Sequence, residues 1–226
     1  MGEVSILFDE THREMYSIRD YGWFLGFSHL AYLVEELGFS CFHVGREAGL
    51  SKALDKAKTL VFPWPKMYFT RREVSEIWGF VEGGGGLWVM GGWSKVLNQL
   101  LHKINVHLYA DIIVDDMVYD SLVYCPVVED IERHEITKGV EELIPIFSRS
   151  LEARKPAKIL ARCSSRAFSI GHGPYRPGDR PPIMCCAEYG DGRVVVVTDA
   201  KMFDNEFINL ADHRTLASNI IEWLGQ

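Results

Sequence analysis

Residues 81–96, VEGGGGLWVMGGWSKV, constrain the fold more than any other stretch of the sequence. The pattern predicts the end of a helix, a four-glycine break, a buried strand at 87–90, a second glycine turn and a new helix. Open α/β sheets place ligands or nucleophiles at such a turn, where a central parallel strand ends. Whether the turn carries reactive residues therefore decides much of the functional interpretation.

The first half of the chain alternates predicted strands with predicted helices. Short apolar runs, as expected for strands buried on both faces, occupy residues 4–8, 39–44, 59–62 and 87–90. Between these runs apolar residues recur at helical spacing, as in residues 30–37. Thr70 and Glu73 have the spacing of a capping box, which predicts that a helix begins there. Repeated strand–helix units with short connections indicate right-handed crossovers and a parallel sheet.

The second half is richer in predicted strands. Candidate strands lie at residues 110–114, 121–125, 144–150 and 157–163. Two further runs, 183–189 and 193–198, flank Gly190-Asp191-Gly192, which is a strong hairpin signal. A closing amphipathic helix starts at Asp212. We therefore predict one α/β domain over residues 1–226, built on a single doubly wound, mainly parallel, flavodoxin-like sheet with extra antiparallel strands in the second half.

Charge and hydropathy argue against two classes of partner. The formal net charge is −7 and no cluster of Lys and Arg exceeds the pair Arg71-Arg72, so a nucleic-acid-binding face is not expected. No apolar run approaches the roughly 18 residues of a membrane span. The N-terminus shows neither a signal peptide nor a myristoylation motif. Five cysteines without CxxC spacing argue against a disulfide framework or a zinc site, and we expect a cytoplasmic protein.

The glycine turn lacks the residues that would make it reactive. A phosphate-binding loop needs a Lys-Ser or Lys-Thr pair after its glycines, and none follows residues 86–92. A nucleophile elbow needs Ser or Cys at its apex, where this chain has Gly91-Gly92-Trp93. Ser94 is better placed to cap the following helix than to act as a nucleophile. The glycines leave open a close approach of a ligand or partner to the backbone.

Polar and aromatic residues nevertheless collect where the predicted strands end. Asp9 and Asp199 follow buried strands, and their carboxylates could hold a divalent ion or serve as acid and base if they converge. The alternative is that each caps a turn and pairs with a neighbour. Neither His12 nor His134 has the spacing of a metal site, so no metal or other cofactor is expected. The candidate ligand-binding residues along this carboxyl edge are Asp9, His12, Arg13, Trp64, Gly92, Trp93 and Asp199.

Several segments give the chain a family resemblance that covers nearly its whole length. They are residues 6–9 with Arg13-Glu14, 69–73, 83–90, 192–196, Met202-Phe203 and 221–224. In these segments the chain resembles the class I glutamine amidotransferase-like superfamily. More closely, it resembles the GIFT domain, which intraflagellar-transport subunits share with bacterial gliding-motility transporter proteins. The resemblance implies a class I glutamine amidotransferase-like α/β fold, and all of these motifs are structural.

The resemblance also implies that the amidotransferase reaction is absent. Class I amidotransferases have a cysteine at the elbow and a late His-x-Glu pair, whereas this chain has Gly92 or Trp93 at the elbow and Asp199-Ala200-Lys201 near the place of the pair. Family members of this type act as binding or scaffolding domains. We therefore expect a non-catalytic binding or assembly module with a protein partner or small polar ligand at the carboxyl edge, and leave a homo-oligomer open. The alternative is a hydrolase that acts on a sugar or amide through a divalent ion or an Asp/His group.

Overall fold

In a computed structural model, which describes residues 5–226, strands and helices alternate in the first half of the chain and strands dominate the second. The predicted first strand would begin at Val4, which lies outside the described residues. The strands are β1 (Ser5–Glu10), β2 (Ser40–Gly45), β3 (Thr59–Pro63), β4 (Gly86–Met90), β5 (Val106–Leu108), β6 (Asp111–Val114), β7 (Asp130–Ile131), β8 (Leu151–Ala153), β9 (Lys158–Arg162), β10 (Phe168–Gly171), β11 (Pro182–Tyr189) and β12 (Gly192–Val197). The α-helices are α1 (Ser28–Glu36), α2 (Leu50–Leu54), α3 (Arg71–Glu82), α4 (Ser94–Leu101) and α5 (His213–Leu224).

Eight strands form one mixed sheet in the order β2-β1-β3-β4-β12-β11-β9-β7. In this order, strands β2, β1, β3, β4 and β12 are mutually parallel. The last three pair antiparallel, with β11 between β12 and β9. Strands β6 and β10 form a separate two-stranded sheet, as do β5 and β8. A parallel order that begins 2-1-3-4 is flavodoxin-like, so the predicted α/β fold with antiparallel strands in the second half is confirmed.

The sheet is doubly wound because helices cover both of its faces. Helices α1 and α5 pack on one face, over core residues such as Phe8 and Trp88. Helices α2, α3 and α4 pack on the other face, over residues such as Leu7. Cys185 and Cys186 belong to opposite faces, as expected for neighbours in a strand. The continuous apolar runs of the central strands are therefore explained by burial on both sides.

The glycine turn after β4 requires its glycines. Gly91 and Gly92 have φ angles of +53° and +134°, which side chains disfavour. A Cβ at Gly91 would lie 2.6 Å from Trp64 Cε3, and a Cβ at Gly92 would lie 2.9 Å from Leu97 Cδ1. The turn thus brings β4 into α4 with the Trp64 ring packed against its backbone. The predicted tight strand–helix connection is confirmed.

The predicted signals for a helix start and for a hairpin are confirmed, with one difference nearby. Thr70 and Glu73 form a complete capping box at the start of α3. Strands β11 and β12 pair as the predicted antiparallel hairpin. Ser94, however, does not cap α4. It is the first residue of that helix, Trp93 holds the cap position, and no side chain of the described residues caps the helix there.

The predicted strand at residues 121–125 is wrong. Ser121 has a φ of +61°, which lies in the left-handed region and cannot continue an extended strand. Cys125 N then donates to Leu122 O at 2.8 Å, which closes a tight turn. The segment is apolar because Cys125 is buried in a small core, and Leu122 and Val123 are exposed.

The predicted strand at residues 144–150 is also wrong. Three of its N–H groups, those of Ile144, Ile146 and Ser150, donate to side chains from distant parts of the chain instead of to a neighbouring strand. Ile144 N donates to His213 Nε2 at 2.9 Å, and Ile146 N donates to Asp199 Oδ2 at 2.6 Å. The segment is apolar because it covers the carboxyl end of β12, where most of its side chains are buried. Burial alone gave it the pattern of a strand.

Two further features bear on function. All five cysteines lie in the described residues and are free thiols. Burial raises the pKa of Cys41 to about 12 and that of Cys125 and Cys186 to about 11, so reactive thiolate is scarce near neutral pH.

Within residues 5–226, none of the helices combines the length and the hydropathy that a membrane span requires.

Candidate functional site

A buried polar network lies at the carboxyl end of β1. His12 Nδ1 is 2.7 Å from Asp9 Oδ2, which is a short hydrogen bond, and a hydrogen on this nitrogen suits a carboxylate acceptor. Thr11 Oγ1 donates to Asp9 Oδ1 at 2.8 Å. Glu14 lies within reach of the same groups, and its two oxygens each accept from His12 N at 3.0 Å. We call Asp9, Thr11, His12 and Glu14 the switch-point network.

Glu14 is the member of the network with the most perturbed acidity. Its side chain is only 1% exposed. Burial above all, and then the hydrogen bond and the charge of Asp9, raise the pKa of Glu14 to about 10. The raised pKa favours the protonated form of Glu14, which can donate a hydrogen bond to Asp9. The network holds fewer charges than its residue types suggest.

The network occupies the place where a flavodoxin-like sheet usually binds its ligand. In the order 2-1-3-4 the strand connections change direction between β1 and β3, and the crevice there is the common binding site. In this chain the loop after β1 closes over the end of β3. Met15 N donates to Trp64 O at 3.1 Å, and Lys66 N and Met67 N both donate to His12 O at 3.0 Å. The loops after β1 and β3 are thus joined by their own backbone hydrogen bonds across the crevice.

Aromatic packing completes the enclosure of His12. Its ring lies 4.2 Å from the Phe69 ring and 6.2 Å from the Phe62 ring, measured between centroids. On the outer side His12 Nε2 is 3.6 Å from Glu73 Oε1, and the Glu73 side chain is 27% exposed. Asp9 itself is 0% exposed and His12 is 4% exposed. A molecule in solvent therefore contacts Glu73 before it can contact Asp9 or His12.

Among the described residues, one group of side chains could hold a metal ion, and it belongs to this network. One ligand atom each from Asp9, His12 and Glu14 lies within 4.8 Å of the others. A cation there would displace the proton of Glu14 and the hydrogen on His12 Nδ1. Sequence spacing did not identify this group, because Glu14 was not among the candidate residues. The available signal was its position in the dense polar loop after β1.

Asp199 is separate from the switch-point network. Strands β3 and β4 lie between β1 and β12, which puts the two strand ends about 14 Å apart. Asp199 is 0% exposed and accepts from Ile146 N at 2.6 Å and from Lys201 N at 2.8 Å. Burial raises its pKa to about 7 despite these two hydrogen bonds. The hypothesis that Asp9 and Asp199 converge is therefore wrong, and Asp199 anchors two loops.

The remaining candidate residues form an exposed rim. Trp93 is 56% exposed, and Arg13 is exposed with a φ of +54°. Their exposed apolar neighbours at the ends of β1 and β3 are Met15, Met67 and Tyr68. We call Arg13, Met15, Met67, Tyr68 and Trp93 the carboxyl-edge surface.

Trp64 and Gly92 support this surface from below. Gly92 is buried, and Trp64 is half-buried with a φ of +66°. The Arg149 guanidinium lies 5.9 Å from the Trp64 ring centre. Trp64 Nε1 is buried without a hydrogen-bond partner among residues 5–226. Of the seven candidate residues, the structure brings Asp9 and His12 into contact, puts Arg13 and Trp93 on the surface, and buries Asp199 elsewhere.

Comparisons with known proteins show the fold. No protein-family model matches the sequence, and neither does any curated protein. Among solved structures, the mmIFT52 N-terminal domain superposes with a TM-score of 0.82 at 19% identity, over 97% of this chain and 96% of that one. The Cytoplasmic Protein STM1381 from Salmonella typhimurium LT2 gives 0.61 at 16% identity, over 99% and 100%. A putative ThuA-like protein from Parabacteroides merdae gives 0.60 at 15% identity, over 99% and 90%.

These likenesses agree with the resemblance seen in the sequence. The chain has the fold of the mmIFT52 N-terminal domain and of ThuA-like proteins. A β-galactosidase from Bacillus circulans sp. alkalophilus also matches, with a TM-score of 0.55 at 12% identity, and the match covers 98% of this chain but only 31% of the enzyme. At these identities the likeness concerns the fold, and the chemistry of the site has to be judged from its own residues.

Proposed function

We propose that this chain is a non-catalytic α/β binding or assembly module, which uses the carboxyl-edge surface to contact a protein partner or a small polar ligand. The observation that carries the proposal is the closed crevice between β1 and β3. Asp9, His12 and Glu14 have side chains that are at most 5% exposed and that bind one another. Buried polar groups satisfied in this way stabilise a fold, and a substrate cannot reach them.

The elbow supports the same proposal. A reaction at the turn after β4 would need a nucleophile at its apex, and the apex residues are Gly91, Gly92 and Trp93. Ser94 is 8% exposed and lies in the first turn of α4. Trp93 instead presents a large ring to solvent, and exposed Trp side chains are typical anchors of protein interfaces. The turn displays a contact residue.

The proposal also covers the domain organisation and the cellular compartment of the chain. We infer that residues 1–226 form a single domain, because strands from both halves share one sheet. We place it in the cytoplasm, since five free thiols suit a reducing compartment. The likeness to the mmIFT52 N-terminal domain over nearly the full length of both chains supports a role in protein assembly. Light scattering at several concentrations would establish whether the chain also forms a homo-oligomer.

The experiment is an activity screen with matched variants. The purified chain is assayed on chromogenic glycosides and amides, with Mg²⁺, Mn²⁺, Zn²⁺ or Ca²⁺ added in turn. We expect no turnover above that of a heat-denatured sample. Turnover that is lost in both Asp9→Asn and His12→Gln, and kept in the exposed-site control Glu47→Gln, would overturn the proposal.

A hydrolase is the second candidate, because Asp9, His12 and Glu14 have the geometry of a cation site. If a divalent ion binds there, saturation at about 100 times Kd raises the free energy of unfolding by about 2.7 kcal/mol. The measurement is thermal unfolding with each ion. A shift that disappears in Glu14→Gln would favour this candidate, and the absence of any shift would remove its basis.

A further inference from the structure

A loop between β1 and α1 displays three large aromatic side chains to solvent. Tyr21 is 73% exposed, Trp23 is 70% exposed and Phe24 is 65% exposed. Tyr32 on α1 is 50% exposed and extends the same surface, since it lines one shallow cleft together with Tyr21. So much adjacent aromatic surface is rare on a protein without a partner. We call residues 21–24 the aromatic loop.

The backbone of the aromatic loop is fixed from beneath by one buried side chain. Asn205 is 2% exposed, and its Nδ2 donates to Gly22 O at 2.8 Å and to Ser28 Oγ at 3.0 Å. Its Oδ1 accepts from His29 N at 2.8 Å, and its own N–H donates to Gly26 O at 2.8 Å. The aromatic side chains are therefore held out on a fixed frame, which lowers the entropy cost of binding.

A cavity of about 450 Å³ opens beside Phe24. Its wall is mainly aromatic and apolar, with Lys201 and Glu206 at the edge. The lining includes Phe24, Tyr119, Leu122, Tyr124, Phe147 and Phe207. The Phe147 and Tyr124 rings stack with centroids 4.1 Å apart, and Lys201 Nζ is 4.4 Å from the centre of the Phe24 ring.

Some residues in and beside this cavity have left-handed backbone conformations. Phe147 and Asp120, which line it, have φ angles of +57° and +50°. Leu25, which follows the aromatic loop, has a φ of +67°. Left-handed conformations are costly for bulky residues such as Phe and Leu, and they cluster at binding sites. Ile146, next to Phe147, is held by the buried carboxylate of Asp199.

The charges at the rim are predominantly negative. Lys201 is the cation that lines the cavity, and it is already paired with Asp204 at 2.8 Å and with Glu206 at 3.0 Å. Asp20 and Asp120 are exposed beside the aromatic side chains, and neither has a salt-bridge partner within the described part of the chain. Unpaired carboxylates and open aromatic faces both favour a cationic partner.

We propose that the aromatic loop and its cavity bind a basic, amphipathic segment of a partner protein. A large apolar side chain of that segment fills the cavity between Phe24 and Phe147. Its Arg or Lys side chains contact Asp20, Asp120 and the open faces of Tyr21 and Trp23. This proposal adds a second surface to the proposed binding module and does not depend on the carboxyl-edge surface.

The test is a selection of random peptides displayed on phage, carried out on the immobilised full chain. One selected peptide is then synthesised, and its affinity is measured by calorimetry at low and high ionic strength. We expect selected sequences that combine Arg or Lys with a large apolar residue. We expect the double variant Trp23→Ser/Phe24→Ser to bind at least about tenfold more weakly, and high salt to weaken binding further.

Matched controls show whether a loss of affinity is specific to the aromatic loop. Ile170→Ser removes an apolar side chain that is 54% exposed on β10, and it should leave the affinity unchanged. Thermal unfolding checks that both variants are folded. Selected peptides that are acidic would overturn the proposal, as would peptides whose affinity is the same for Trp23→Ser/Phe24→Ser and for the wild type. So would a selection that yields no binding peptide, or a chain that binds neutral oligosaccharides through Trp23 instead.

The outcome is also distinguishable from failure of the proposed function. Peptides that lose affinity in Trp93→Ser but not in the double variant would support the carboxyl-edge surface and overturn the aromatic-loop proposal. Enzymatic turnover that depends on Asp9 would overturn the proposed function and leave peptide binding at the aromatic loop intact.

Discussion

The switch-point network and the aromatic loop both lie in the sixteen residues from Asp9 to Phe24, yet their side chains differ in burial. In the network, the polar side chains of Asp9, His12 and Glu14 are buried and bind one another. In the loop, the aromatic residues Tyr21, Trp23 and Phe24 are each at least 65% exposed.

Both arrangements run against the usual distribution of residues, and each therefore needs a specific cause. Buried polar groups persist when they are hydrogen-bonded, and the network meets that condition. Exposed aromatic clusters persist when they serve recognition. Trp23 touches the His29 ring edge-on and Phe24 lies beside Lys201, yet both rings stay at least 65% exposed. Residue type at the end of a strand therefore does not identify a site. Exposure and hydrogen bonding decide it.

The largest expected effect comes from removing the centre of the network. Asp9→Ala leaves the hydrogens of His12 Nδ1 and Thr11 Oγ1 without their acceptor in a buried place. We expect the free energy of unfolding to fall by about 3 to 5 kcal/mol, measured by chemical denaturation. The exposed-site control Glu47→Ala should change it by less than about 0.5 kcal/mol. A loss below about 1 kcal/mol for Asp9→Ala would show that the network does not stabilise the fold.

Glu14→Gln should change the pH dependence of stability. Because burial raises the folded pKa of Glu14 above its unfolded value, its contribution to stability is full below about pH 4.5 and is lost as pH rises towards about 10. Gln keeps a donor for Asp9 and an acceptor for His12 N without an ionisable proton. We expect the variant to gain on the order of 2 kcal/mol relative to the wild type between pH 5 and pH 8.

The measurement is the free energy of unfolding of both proteins at several pH values. Asp199, whose pKa is about 7, contributes a fall with rising pH to both proteins, so only their difference reports Glu14. Parallel curves for the wild type and Glu14→Gln would mean that Glu14 is ionised in the folded state.

Asn205→Ala should have a smaller effect on stability and a clear effect on the aromatic loop. The change leaves His29 N and Gly22 O without their partner. We expect a loss of about 1 to 2 kcal/mol and a faster cleavage of residues 21–24 by chymotrypsin. Asn98→Ala serves as the control, because Asn98 is a half-buried amide that also bonds the backbone, and it should not accelerate that cleavage. Unchanged proteolysis in Asn205→Ala would contradict the fixed frame.

The smallest effects on stability should come from the exposed rings. Trp23→Ser and Trp93→Ser remove side chains that are 70% and 56% exposed. Each should change the free energy of unfolding by less than about 0.5 kcal/mol, because little apolar surface is buried by either ring. A melting experiment checks this. A large loss in either variant would indicate that the ring supports the fold and is not displayed for a partner.

The sequence predicted the parts of the fold that local patterns encode. The capping box at Thr70, the turn at Gly91-Gly92 and the hairpin of β11 and β12 are local, and all are confirmed. Residues 144–150 were misassigned because their hydrogen-bond partners, such as Asp199, lie far away in sequence. Apolar periodicity reports burial, and it does not report which group satisfies the backbone.

The site was less predictable than the fold for a related reason. Asp9 and Asp199 both end central strands, but the order of the strands decides whether they meet, and two strands separate them. Glu14 was missed because its raised pKa results from burial, and the polar sequence of the loop does not indicate that burial. Asn205 was missed because its partners at Gly22 and His29 are more than 170 positions away.

The central claim is that the crevice between β1 and β3 is closed and unreactive, and its most direct test is the NMR signal of the His12 ring. The purified chain is titrated with Mg²⁺, Ca²⁺ and Zn²⁺ and then with simple sugars and amides, and His12→Gln identifies the signal. A closed network predicts that the His12 signals stay unchanged in every titration. A saturable shift of His12 that is lost in Glu14→Gln would contradict the claim and make the switch-point network a binding site.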